Sequence, residues 1–311
     1  MTSTDCIDAR QPPRDWRTPL ELLALGAIWG GSFLFMRVAA ADFGPVALVE
    51  VRIVLGALIL LPFLWQARSR LSAARWWRMA AVGVLNSAIP FTLFAWGAER
   101  APAGIGAIAN SMTVLFTAAV GFVVWRDRIG SGRVIALIAG FIGVVVLASG
   151  RTAGANIGEA AAAGTLASFS YGIAANLTKR KLGDIPPVVA VAGTLGCAAI
   201  LLAPALLFTW PATMPPAKSW MAATMLGVVC TGIAYVLFFR LIGRVGAARA
   251  TTCTYLIPLF GVGWAWLLLG EVPTWTMLAA ATLILGSVIL SQREVPPPAA
   301  AAAVAAANET T

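Results

Sequence analysis

The 311-residue chain is 59% hydrophobic and only 11% charged, far from the roughly 25% charged composition of soluble domains. That balance excludes an ordinary water-soluble fold. Its net charge of +9 would suit nucleic acid, but the placement of the basic residues described below argues against that partner.

Ten apolar stretches follow one another, near residues 20–40, 44–65, 76–97, 102–124, 132–149, 158–178, 186–208, 219–241, 247–269 and 274–291. Each approaches the ~20 residues that a helix needs to cross a hydrocarbon core. Most connections are too short to fold by themselves. The reading is an all-α membrane protein of ten transmembrane helices embedded in the lipid bilayer. Residues 1–19 form an N-terminal segment. Val38-Ala39-Ala40-Ala41 mimics a signal-peptidase site, but the apolar run before it is too long and Arg37 interrupts it, so the first span is retained. Residues 292–311, with Pro296-Pro297-Pro298 and an alanine run, read as a disordered tail.

If the N-terminus is cytoplasmic, Arg10, Arg14, Arg17, Arg68, Arg70, Arg75, Arg78, Arg126, Arg128, Arg133, Lys179, Arg180, Lys181, Arg240, Arg244, Arg249 and Arg293 lie on that side or at its boundary. The other side receives Arg100, Arg151 and Lys218. An asymmetry of this size sets orientation by the positive-inside rule, and ten spans return the C-terminus to the cytoplasm. Arginine outnumbers lysine strongly, which suits a GC-rich bacterial genome and hence an inner (plasma) membrane. Cys6, Cys197, Cys230 and Cys253 show no CxxC spacing and read as reduced thiols.

The halves repeat. Shifted by 142 residues, Trp29 meets Tyr171, Gly30 meets Gly172, Arg37 meets Lys179, Pro45 meets Pro187 and Pro62 meets Pro204. From span three the shift is 144: Gly83 meets Gly227, Leu93-Phe94 meets Leu237-Phe238, Leu115-Phe116 meets Leu259-Phe260, and Asp127 meets Glu271. Five spans per half is an odd number, so the second half enters the bilayer inverted. The boundaries are 20–149 and 158–291, with a linker at 150–157. Inverted repeats favour a midplane site and two nearly equivalent packings, as in secondary transporters.

The chain resembles the EamA family of the drug/metabolite transporter superfamily over roughly residues 20–291. The resemblance rests on Ala27-Ile28-Trp29-Gly30-Gly31-Ser32-Phe33, Val51-Arg52-Ile53, and Leu256-Ile257-Pro258-Leu259-Phe260 running to Gly270-Glu271. It implies a ten-helix carrier, cytoplasmic at both ends, that exports small metabolites such as amino acids. Spans one, three, four, six, eight and nine would then line a central cavity. Two departures stand out: Val114 where the family often has proline, and Arg126-Asp127-Arg128 in place of Gly-Glu-Arg.

Polar groups inside spans are costly and mark candidate sites. Trp29, Asn86, Asn110, Tyr171 and Tyr255 are the expected substrate-binding residues, with Ser111 and Asn176 at similar depth. Aromatic faces with a few amides suit a small metabolite having an apolar part; the alternative is interhelical hydrogen bonding. In span two, Glu50 and Arg52 lie roughly 7–10 Å inside the outer boundary at 1.5 Å per residue. Two residues apart, they occupy opposite helix faces. The expectation is a structural Arg37–Glu50 ion pair, with Arg52 directed to the cavity to hold a substrate carboxylate; bracing of neighbouring helices or snorkelling is the alternative. Glu50, so bridged, would stay ionised and be unsuited to proton coupling, and uniport fits equally well. Pro258 interrupts the ladder of span nine and is the expected hinge; Pro90 in span three is read likewise. Gly26 and Gly30 form a small-xxx-small pair, read as close helix packing.

There is no histidine, which excludes His-containing zinc and Ser-His enzymes. No Walker loop is present. No catalytic residue, metal or cofactor is expected. A xenobiotic efflux carrier, a channel or a scaffold are the alternatives, and nothing in the pattern separates a monomer from a homodimer.

Overall fold

The computed structural model describes residues 16–127, 129–152 and 155–293. Cys6, Arg10, Arg14, Arg128, most of the expected N-terminal segment and the expected tail from residue 294 lie outside the described residues. Ten helices account for the described chain: α1 Arg17–Phe43, α2 Pro45–Ala67, α3 Ala73–Arg100, α4 Ala103–Trp125, α5 Ser131–Ala148, α6 Ile157–Lys181, α7 Pro187–Thr209, α8 Ala217–Val245, α9 Thr251–Leu269 and α10 Trp275–Arg293. Among the described residues there is no strand.

Local chemistry sets the breaks. Gly44, at φ 72°, turns the chain between α1 and α2, a conformation that costs a residue without a Cβ little. Pro45 and Pro187 sit at the first helical position, where a missing N–H costs no helical bond. The α4–α5 and α9–α10 turns share one construction. Arg126 and Gly270 are both left-handed, at φ 57° and 69°. The next N–H reaches six residues back, Asp127 to the Gly121 carbonyl and Glu271 to the Ala265 carbonyl, each at 3.1 Å. The same left-handed closure thus occurs twice, 144 residues apart.

The repeat seen in the sequence is a pseudo-two-fold in the packing. Helix α1 packs on α8 and α9, and α6 packs on α3 and α4. Helix α2 packs on α8 and α7 on α3, while the pairs α2–α7 and α5–α10 are their own counterparts. The matched glycines are the contact points. A Cβ on Gly30 would lie 2.6 Å from the Phe260 Cβ, and one on Gly172 would lie 2.9 Å from the Phe116 Cβ. One on Gly83 would strike the Thr194 carbonyl, and one on Gly227 would lie 3.0 Å from the Arg52 carbonyl. Helices α3 and α8 also carry π-helical turns at matching positions, Val84–Ala88 and Met225–Ile233. With five helices in each half, the axis relating them lies in the membrane plane.

Eight of the ten helices are long and apolar enough to cross a bilayer by length and composition. Helix α10 has a shorter apolar stretch, Trp275–Ser291. Helix α6 is long enough but rich in Ala, Gly and Ser; one face is packed against protein, where Ser168 donates to the Ala109 carbonyl and Ser170 to the Leu85 carbonyl, while Leu166 and Phe169 stay exposed on the other. The outer surface is apolar, with Ile200, Leu207 and Phe208 at 74–89% exposure, an extent that marks a lipid-facing surface. Cys197, Cys230 and Cys253 are free and buried.

Candidate functional site

Between the halves, at mid-depth, lies a cavity of about 300 Å³, at the small end of the range for small-molecule sites. Helices α1, α3, α4, α6, α8 and α9 supply its walls, with Arg52 from α2 and Val288 from α10. Trp29, Arg52, Asn86, Asn110, Tyr171 and Tyr255 are brought together in this lining. So are Ser111 and Val114.

Each side chain is held by a local irregularity or a ring contact. Asn86 projects from the π-helical turn of α3, against the Tyr235 hydroxyl of α8. Asn110 ends the α-helical segment Ala103–Asn110, and the turn at Ser111 lets α4 resume at Met112. Trp29 meets Phe238 edge-on at 5.1 Å and Tyr235 at 6.2 Å. Tyr171 lies 6.2 Å from Phe94 and 6.4 Å from Phe91. Tyr255 belongs to the 3-10 segment Thr251–Leu256. Pro258 is buried at the second position of the α-helical segment Ile257–Leu269, where 3-10 geometry gives way to α. Pro90 occupies the equivalent place after the π turn of α3. Asn176 points elsewhere: its amide donates to the Thr117 and Gly172 carbonyls and ties α6 to α4.

Arg52 is 6% exposed. Its Nε donates to Thr231 Oγ1 at 3.0 Å, its Nη1 lies 3.8 Å from the Met36 sulfur, and its guanidinium sits 3.7 Å over the Phe91 ring. Thr231 can face Arg52 because its hydroxyl donates to the Leu226 carbonyl five residues back, the spacing of the π turn it occupies.

The expected Arg37–Glu50 ion pair is not formed. Arg37 Nε pairs with Glu271 Oε1 at 3.0 Å, and its Nη1 donates to the Ala98 and Glu99 carbonyls at the end of α3. The other Glu271 oxygen accepts the Ala103 N–H at the start of α4, at 2.8 Å. Sequence adjacency misled here. Helices α1 and α2 are similar in depth at these residues, but α1 packs mainly on α8 and α9 and α2 on α7 and α8, so the two side chains face different neighbours. Glu50 is buried, its Oε2 lacks a hydrogen-bond partner, and it does not line the cavity.

The Arg37–Glu271 cluster ties α1, α3, α4 and the α9–α10 turn together at the end of the bundle opposite the start of α1 and the end of α10, and the Phe33–Phe94 ring pair, 5.4 Å apart, lies beneath it. The acid matched to Glu271 in the repeat, Asp127, is at the other end, where it pairs not with Lys179, the residue matched to Arg37, but with the adjacent Arg180, whose Nη2 donates to both its oxygens at 2.7 and 2.8 Å. There the pair is more open, at 32% and 47% exposure. That end also carries Arg244–Glu21 and Arg75–Asp184. The Arg75 guanidinium holds the Asp184 carboxyl below the ordinary aspartate range.

Tyr235, Thr113 and Phe91 line the cavity without having been singled out in the sequence, and Phe94, which also lines it, was marked there only by the repeat. The signal for Tyr235 was available: the chain has three tyrosines, and all three line this cavity.

The profile of the EamA-like transporter family matches residues 18–149 and 159–292. The chain belongs to the EamA-like transporter family. It is therefore a multi-pass membrane protein of a family of transporters rather than of enzymes. The two matched segments coincide with the two halves of the bundle. Among similar proteins, the uncharacterized transporter YvbV of Bacillus subtilis is 27% identical, with 88% of this chain and 91% of that protein aligned. A probable amino-acid metabolite efflux pump of Salmonella typhimurium is 24% identical, over 86% and 92%. One crystal structure superposes with a TM-score of 0.61 at 16% identity, covering 89% of this chain and 96% of that one; this likeness concerns the fold.

Proposed function

We propose that this EamA-family chain is a secondary transporter of the bacterial inner membrane that exports small metabolites such as amino acids, hydrophobic or aromatic ones in particular. Both termini face the cytoplasm in this reading, which the Lys/Arg asymmetry supports. The observation that carries it is the mid-depth cavity between pseudo-two-fold halves, walled by Trp29 and three tyrosines with the amides of Asn86 and Asn110 among them. A site on such an axis is reached from either side by rocking one half against the other, without rebuilding the site. An ion pair stands at each end of the bundle, Arg37–Glu271 and Arg180–Asp127, and such pairs at opposite ends suit gates that alternate. The Salmonella typhimurium relative, named a probable amino-acid metabolite efflux pump, points the same way.

The test is counterflow of radiolabelled amino acids in liposomes holding the purified chain, with efflux from a deletion strain alongside. Saturable, competable flux is expected, with phenylalanine, tryptophan or leucine among the substrates. Flux that is unsaturable would make the chain a channel, and no flux of any metabolite would overturn the reading.

A further inference from the structure

The charge of the cavity is set by one group. Arg52 is the only charged side chain among its lining residues, and it makes no ion pair with an acid among the described residues. A guanidinium has five N–H donors. Here one goes to Thr231, a second faces a sulfur, which is a weak acceptor, and a π face covers the plane. The remaining N–H donors have no acceptor among the described residues, and because Arg52 lines the cavity they are left for whatever occupies that space. On α4, the hydroxyls of Ser111 and Thr113 line the same space and are also buried without a partner. Glu50, the nearest acid in sequence, does not line the cavity. Unsatisfied donors around an otherwise aromatic space describe a site whose remaining partner is the ligand.

Granting that the cavity holds the transported solute, we infer that it is specific for a carboxylate-bearing solute, whose carboxylate seats on Arg52 while its apolar body lies against Trp29, Tyr171 and Phe94, and that organic cations are refused. A carboxylate matches the guanidinium fork bidentately. An amine in its place would set two positive charges together in a space with no carboxylate to offset them. This separates the site from that of a carrier for cationic xenobiotics.

The experiment uses three probes of one size and shape: L-phenylalanine, 3-phenylpropionate and phenethylamine. Binding to the full-length purified chain is measured by ligand-induced thermal shift and by competition against labelled phenylalanine. Phenylalanine and 3-phenylpropionate are expected to bind at least about tenfold more tightly than phenethylamine, as loss of a charge-assisted hydrogen bond implies. Arg52→Gln is expected to abolish that preference, and Arg52→Lys to restore part of it. Equal competition by phenethylamine, or carboxylate binding unchanged in Arg52→Gln, overturns the inference. If Arg52→Gln does not fold, the comparison of the three probes on the unaltered chain decides alone. Binding that follows this pattern without counterflow would leave the inference standing and remove the transporter reading; counterflow indifferent to carboxylate and to Arg52 would do the reverse.

Discussion

Replacing Glu271 with glutamine should loosen the end of the bundle opposite the start of α1 and the end of α10. Glu271 bonds Arg37 through one oxygen and caps the α4 N-terminus at Ala103 through the other. A hydrogen bond to a charged group contributes about 1.5–3 kcal/mol, whereas a fully exposed ion pair gives about 0–1 kcal/mol. Glu271 is 16% exposed and Arg37 33%, so the cluster lies between these cases, and about 2 kcal/mol is a fair figure for what Glu271→Gln removes. At 1.4 kcal/mol per tenfold, the population open at this end should rise roughly 25-fold. Phe33 is 7% exposed beneath the cluster, so a cysteine placed there, in a chain lacking the native cysteines, reports opening. Its labelling by an impermeant maleimide from that side should accelerate about tenfold or more in Glu271→Gln. Labelling that changes by less than about twofold would refute the idea that this cluster holds the end shut.

Gly30→Ala and Gly172→Ala should each destabilise by about 1–3 kcal/mol, the usual cost of overpacking, because the new Cβ meets backbone within 3.0 Å at both sites; Gly196→Ala, where nothing lies within 4 Å, should be neutral or mildly stabilising in the same melting assay. Asn176→Ala removes one bond from α6 to α4 and one within α6 and should lower thermal stability by about 1 kcal/mol while leaving the KM for substrate unchanged. The lowered Asp184 is ionised above the ordinary aspartate range near pH 4. Its pairing with Arg75 is therefore fully present above that range and lost only as pH falls below it. Asp184→Asn should accordingly leave the shape of the flux profile between pH 5 and 8 unaltered, and a new inflection in that window would contradict the assignment.

The helical architecture was legible because lipid imposes it: spans need length and apolarity, and both can be read residue by residue. The repeat was legible from Gly30/Gly172 and Gly83/Gly227 because close helix contacts tolerate nothing larger at those points. Cavity residues were legible where a polar or aromatic group stood at mid-span, as with Asn86, Asn110 and Tyr171. The Arg37 partner was not. Depth along a helix follows from counting, but the face a side chain presents depends on which helices surround it, and Arg37 reaches Glu271 across 234 positions. Thr231 was hidden for another reason. A π-helical turn shifts the helical phase, so its side chain reaches Arg52 from a position that regular periodicity does not mark.

The polar character of α6 bears on how the chain is made. A segment leaving the translocon is judged by lipid first, and α6 offers Ser168, Ser170 and Asn176 where its neighbours offer leucine and valine. Its eventual shelter, α3 and α4, has already been synthesised when α6 emerges. Those two helices can receive it as it partitions, and their carbonyls accept its hydrogen bonds in place of water. Membrane insertion of the second half thus depends on the first having been assembled, and a fragment starting at α6 should integrate poorly unless α1–α5 are supplied beside it.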